Sequence, residues 1–181
     1  MVEHHPLKPF LPKHCTLLML GSFPPPTQRW CMDFFYPNPQ NDMWRIMGQV
    51  FFHDKSHFEV QRDNVRDTKR RKAVFNYEAI VSFCRTQGIA IFDTAQAVVR
   101  LQGNAADEHL EIVERTDMAA LLKQLPFCHD VCCTGGKAAE TLAETLHTAT
   151  PKVGSCIETN ISNRAVRFWR TPSSSRAYPL A

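Results

Sequence analysis

The chain has 181 residues, 44% apolar and 22% charged, with 12 Phe and 3 Trp, so intrinsic disorder is excluded and one domain of ordinary size has a full core. No run reaches the ~18 apolar residues of a membrane helix, no basic and then apolar stretch marks a secretory leader, and an odd count of seven Cys suits a reduced, intracellular protein. The net charge of +3 is uneven: residues 61–72 and residues 161–181 each carry +4, leaving −5 elsewhere, as expected either for an anionic partner such as nucleic acid or for a solvated helix face and a basic tail.

Eight of the 12 Pro lie within the first 39 residues. Residues 1–13 therefore read as an extended N-terminal arm, since Pro fixes φ and removes a donor. Residues 16–20 (Thr-Leu-Leu-Met-Leu) form a continuous apolar run ending at Gly21, the pattern of a buried parallel strand. Residues 22–42 lack periodicity and form a long loop, and loops of that length in compact domains are usually functional. Asp42 is placed to cap a helix whose Met43, Ile46, Met47, Val50 and Phe51 recur at helical spacing. A second helix is expected over 73–86, stopped near Gly88, then a strand over 89–92 that ends at Asp93. A helix over 116–125 is closed by Pro126, a strand over 130–134 turns through Gly135-Gly136 into a helix over 137–147, and a fourth strand spans 165–170.

Strands alternating with helices predict a single α/β domain over 1–181: a three-layer α/β/α sandwich around a central, mostly parallel four-stranded sheet. Ligands in such sheets sit outside the carboxyl ends of the strands, at Gly21-Ser22-Phe23-Pro24, Asp93-Thr94, Thr134-Gly135-Gly136-Lys137 and Thr171-Pro172-Ser173-Ser174-Ser175. The cluster Cys128, His129, Cys132 and Cys133 suggests zinc, but adjacent residues of a strand point to opposite faces and no second ligand pair completes a set. Buried Cys packing is the better reading, with no metal and no cofactor. The Thr134–Lys137 turn lacks the Walker spacing, so it is a tight strand-to-helix turn in which Lys137 sits close enough to touch a phosphate. No Gly-x-Ser-x-Gly elbow is present for a nucleophilic Ser.

Three segments in order, each at the end of an expected strand, carry a resemblance: Gly21-Ser22-Phe23-Pro24, then Tyr36-Pro37-Asn38-Pro39-Gln40-Asn41-Asp42-Met43-Trp44, then Pro172-Ser173-Ser174-Ser175-Arg176. Together they resemble the uracil-DNA glycosylase superfamily, nearest its hypoxanthine-DNA glycosylase-like and mismatch-specific branches, over about residues 15–178. The resemblance implies a monofunctional DNA N-glycosylase of base excision repair, working without cofactor as an intracellular monomer on double-stranded DNA that contains a modified base. It implies that Tyr36 stacks on a flipped base while Gly21, Ser22, Phe23 and Pro24 line the pocket. Phe23 stands where many members carry a water-orienting polar residue, so that role falls to Asn41, whose alternative is a loop Asn that satisfies backbone groups. Asp93 either reads the base as an acceptor or caps the following segment. Pro172, Ser173, Ser174, Ser175 and Arg176 match the loop that enters the minor groove, although Thr171, Arg176 and Tyr178 depart from the pattern and relatives continue into a helix after it. A catalytically silent DNA-binding protein and a hydrolase of free nucleosides are the alternatives, the second disfavoured by the basic segments.

Overall fold

The computed structural model describes residues 1–60, 75–101 and 109–178. In chain order these form β1 (Val2–His4), β2 (Leu17–Gly21), α1 (Met43–Phe52), α2 (Tyr77–Gln87), β3 (Ile89–Asp93), β4 (Ala95–Arg100) and β5 (Leu110–Arg115). There follow α3 (Met118–Lys123), β6 (Asp130–Thr134), α4 (Gly136–Leu146), β7 (Ser155–Ile161) and β8 (Arg164–Thr171). The main sheet has the order β3-β2-β6-β8-β7. Its first four strands run parallel and are the four expected from the sequence. In β2 the successive residues Leu18, Met19 and Leu20 are all buried. Successive side chains point to opposite faces, so both faces are covered, as a layered α/β arrangement requires.

The sheet is larger than the expected four strands. β7 adds a fifth, antiparallel to β8, through a two-residue turn at Ser162 and Asn163, whose φ values of 51° and 65° suit a tight hairpin. Its half-exposed residues follow no continuous apolar run, which hides it from a search for buried strands. A second, antiparallel sheet has the order β1-β4-β5. The expected extended arm is thus partly a strand: Val2, Glu3 and His4 pair with Val99, Val98 and Ala97. Farther along, Phe10 and Ile91 exchange backbone hydrogen bonds of 3.0 and 2.9 Å, which lays the arm against β3.

The helices sit close to their expected places, with shifted ends. α2 starts at Tyr77, where the Asn76 side chain accepts from the Ala79 N–H, and stops at Gly88, whose φ of 66° is the left-handed region that glycine enters freely. Asp117 caps α3 in the same way. α1 turns a different face inward from the one its spacing suggests. Met43, Trp44 and Gly48 are buried, whereas Ile46, Val50 and Phe51 are exposed. Trp44 decides the orientation: its indole N–H donates to the Phe35 carbonyl at 3.1 Å and its ring meets Phe34, Tyr36 and Phe58. Burying so large an aromatic outweighs the scattered aliphatics of the other face. The Asp42 side chain makes no cap bond to α1.

Parallel register aligns the strand ends that matter. Gly21 pairs with Asp93, and Thr134 with Thr171, so four carboxyl ends lie side by side at one edge of the domain.

Candidate functional site

A cavity of about 620 Å³ opens at this edge. That is ample for a nucleobase and lies within the usual range of small-molecule sites. It is lined from every strand end singled out in the sequence: Gly21, Ser22, Phe23 and Pro24 after β2, Tyr36 and Asn41 in the long loop, and Asp93 after β3. Lys137 at the start of α4 and Ser173, Ser174 and Ser175 after β8 complete the wall. Pro172 and Arg176 do not line it.

Two loops are stitched together to make the mouth. Asp42 N–H donates to the Ser174 carbonyl at 2.8 Å, Arg176 N–H donates to the Gln40 carbonyl at 3.2 Å, and Asn41 and Ser175 form an isolated antiparallel bridge. Outside this ladder, Arg176 donates from Nε and Nη2 to the Asp42 carboxylate at 2.8–3.1 Å. Arg45 donates to the same carboxylate at 2.9 Å, to Glu59 at 2.6 Å and to the Pro39 carbonyl at 2.9 Å. The hydrogen bonds from Arg176, and then those from Arg45, hold the Asp42 carboxyl below its ordinary range against the opposing effect of burial. Arg176 is thus the clasp of the C-terminal loop, with 55% of its side chain still exposed.

Asn41 is committed at one end. Its Oδ1 accepts from the Met43 N–H at 2.9 Å, so it supplies the cap that Asp42 does not, one residue earlier than expected. The side chain thus satisfies the helix start, and the residue also borders the cavity. Its amide NH2 and the second lone pair of Oδ1 remain as a donor and an acceptor.

Tyr36 is half-buried at φ 51°, and its hydroxyl lies 2.9 Å from Thr134 Oγ1. Thr134 directs its own proton toward the Leu20 carbonyl at 3.4 Å, which leaves Tyr36 as the donor. Burial pushes the Tyr36 hydroxyl far above its ordinary value and keeps it neutral. Phe34 and Phe35, by contrast, are core residues. The Phe23 ring packs with Ala95, Val98 and Leu110, edge-on to His5 and under the Arg100 guanidinium at 5.6 Å, so no polar group points from this position.

Asp93 does not cap the next segment. Its Oδ2 accepts from His5 Nε2 at 2.8 Å, and the two side chains are only 9% and 2% exposed. Its Oδ1 lies over the Gly21 Cα: a Cβ added there would come within 2.3 Å of it, so only glycine fits. No motif announces His5, which is brought to Asp93 through pairing between β1 and a strand more than 90 residues away.

The charge expected to face DNA is partly spent inside the protein. Arg164 donates to the Leu122 and Leu125 carbonyls, Arg167 to Asp130, and Arg176 to Asp42. The basic segment 61–72 lies outside the described residues. All seven Cys are free, with Cys128 and Cys133 buried as packing residues, and among the described residues no cluster of His, Cys, Asp or Glu is arranged to hold a metal ion.

No protein-family model matches the sequence, and no curated protein matches it. Among solved structures, the chain is similar to the solution NMR structure described as "a putative uracil DNA glycosylase" from Methanosarcina acetivorans, with a TM-score of 0.62 and 21% identity over 98% of this chain and 87% of the other. The two share a fold.

Proposed function

We propose that the protein is a DNA glycosylase that flips a modified base out of duplex DNA and hydrolyses its N-glycosidic bond. One observation carries the reading: residues from four separate strand-end segments and from all three motifs converge on one cavity of ample size for a nucleobase. The likeness to the Methanosarcina fold supports it, as does the left-handed backbone at Tyr36, a cost that functional sites tolerate.

In this reading the flipped base enters between Tyr36 and the backbone of Gly21–Pro24. The Tyr36 ring supplies the stacking face, and Asp93 accepts a hydrogen bond from a ring N–H of the base. Departure of the base develops oxocarbenium character on the sugar and negative charge on the base. Asn41 borders the cavity from the sugar side of the loop. Its amide directs a water at the anomeric carbon, which takes hydroxide from that water, while the leaving base retains the bond's electron pair and ends with a proton. Ser173–Ser175 and Lys137 grip the flanking backbone. Arg176 acts here by holding that loop to Asp42 rather than by reaching the cavity.

The test is a panel of duplexes, each with one uracil, hypoxanthine, xanthine or ethenocytosine, scored for abasic sites. Release of at least one base supports the reading. Tight binding without release favours a silent damage sensor of the same fold, toward which the fully packed Phe23 leans. Activity on free nucleosides but not on duplexes refutes the DNA substrate.

A further inference from the structure

The buried His5–Asp93 pair is not explained by packing alone. Burying a carboxylate costs free energy unless it is paired, and an apolar residue at either position would serve a core better. Here the pair sits on the cavity wall: Asp93 lines it, and His5 lies behind, wedged among Phe23, Phe35 and Phe92 with ring centroids at 4.6–6.2 Å. The other ring nitrogen of His5, Nδ1, lies 2.9 Å from the Leu7 carbonyl and 3.1 Å from the Leu7 N–H. A neutral ring accepts from that N–H and a protonated ring donates to that carbonyl. In both forms Nε2 keeps its proton and directs it at Asp93.

The arm is fixed around this contact. His5 N–H donates to the Gln96 carbonyl at 2.8 Å, and Glu3 pairs with Arg100, which donates to the Pro24 carbonyl at 2.6 Å. The N-terminal arm is thereby tied to both the base-facing loop after β2 and the carboxylate after β3.

Resting on the glycosylase reading and deepening it, we infer that His5 is a positioning residue for base selection: by occupying Oδ2 of Asp93 it fixes Oδ1 over Gly21 as a single, oriented acceptor, which makes the pocket select bases that present a ring N–H. Without His5 the carboxylate can turn, or draw in water, and offer either oxygen. A base whose ring N–H is replaced by N–CH3 is then no longer penalised against its parent.

The test compares duplexes carrying uracil or 3-methyluracil, and hypoxanthine or 1-methylhypoxanthine, in wild type, His5→Phe, His5→Gln, Asp93→Ala and the His5→Phe/Asp93→Ala double variant. Phe keeps the ring packing and removes the donor, whereas the Gln amide restores a donor at similar reach. Wild type should prefer the N–H base. His5→Phe should lose about tenfold of that preference, the order expected for one charge-assisted hydrogen bond. His5→Gln should recover it, and in the Asp93→Ala background His5→Phe should change nothing further. Equal slowing of both members of each pair, or a His5→Phe effect that persists without Asp93, overturns the inference. If wild type releases none of these bases, the glycosylase reading fails separately, and the same preference measured in duplex binding decides the role of His5 either way.

Discussion

Replacing Asn41 separates the cap it supplies from the water-directing role proposed for it. Asn41 Oδ1 satisfies the Met43 N–H at the start of α1 and the residue borders the cavity, so Asn41→Ala removes both the cap and the group proposed to direct water. Loss of a helix-start cap costs ~0.5–2 kcal/mol. For a chain of this length a cost of about 1 kcal/mol lowers Tm by roughly 2–4 °C. Loss of an oriented hydrogen bond in the transition state costs roughly 2.7–4 kcal/mol, about 10²–10³ in rate. Asn41→Ser keeps a capping oxygen but is too short to reach a bound water; Asn41→Asp keeps both the cap and an acceptor for water. The expected pattern is a lowered Tm for Ala only, with single-turnover base release reduced about 10²–10³-fold for Ala and Ser and largely retained for Asp. Single-turnover kinetics under excess enzyme, beside thermal unfolding of the same preparations, read the two effects apart. If Asn41→Ser releases base at the wild-type rate, Asn41 is a cap and nothing more.

Tyr36→Phe should cost ~0.5–1.5 kcal/mol in stability, through loss of the hydrogen bond to Thr134, while leaving stacking intact. Tyr36→Ala should weaken binding to damaged duplex by ~1–3 kcal/mol and leave undamaged duplex unaffected in titrations of both. The Asp42 carboxylate has a depressed folded-state value, so its contribution is fully present above the ordinary carboxylate range and is lost as pH falls through that depressed value. Wild type should accordingly exceed Asp42→Asn in stability at neutral pH, and the two unfolding curves should converge in acid. If the segment 61–72 tracks phosphates, replacing Lys69, Arg70, Arg71 and Lys72 with Ala should flatten the salt dependence of duplex affinity, and an unchanged slope would leave it a solvated segment.

What the sequence disclosed, and what it withheld, divides along the range of the interactions involved. β2 and β3 are continuous apolar runs because both of their faces are covered, β6 carries the short run Val131-Cys132-Cys133, and β8 alternates buried Val166 and Phe168 with exposed Arg167; these patterns are visible locally. Gly88 and Asn76 announce the ends of α2 by local backbone chemistry. β1, β4, β5 and β7 have mixed patterns; β1 is a strand because it pairs with β4 far along the chain, whereas β7 is one because it pairs with β8 across the adjacent hairpin. Within the site, Gly21, Tyr36, Asn41 and Ser173–Ser175 were legible because they fall in motifs at strand ends. His5 was not, since nothing in Glu3-His4-His5-Pro6 distinguishes a buried partner of a carboxylate from a polar residue in an arm. The inward face of α1 was misjudged because a count of apolar positions gives Ile46 and Val50 the same weight as Trp44.

If the protein acts on DNA as proposed, the internal use of the C-terminal arginines changes where the contacts to the duplex are to be sought. Read as charge, residues 161–181 supply +4 to an anionic partner. In the fold, Arg164 satisfies carbonyls at the end of α3, Arg167 offsets Asp130, and Arg176 offsets Asp42. A cation already paired with a carboxylate releases few counterions from a duplex, because its field is largely cancelled before DNA arrives. On the glycosylase reading, Arg167 and Arg176 therefore act indirectly, by fixing β8 and the loop that follows it, whereas Arg164 is bonded to carbonyls and not to a carboxylate. On the glycosylase reading, the salt dependence of duplex binding is expected to come chiefly from the basic residues of segment 61–72, with Arg29 and Lys137 beside the cavity as local cations. Shape at the cavity and charge outside it are thus assigned to different parts of the chain, and the two substitution sets should separate them: the lysine and arginine cluster in the salt slope, and Tyr36 in the discrimination between damaged and undamaged duplex.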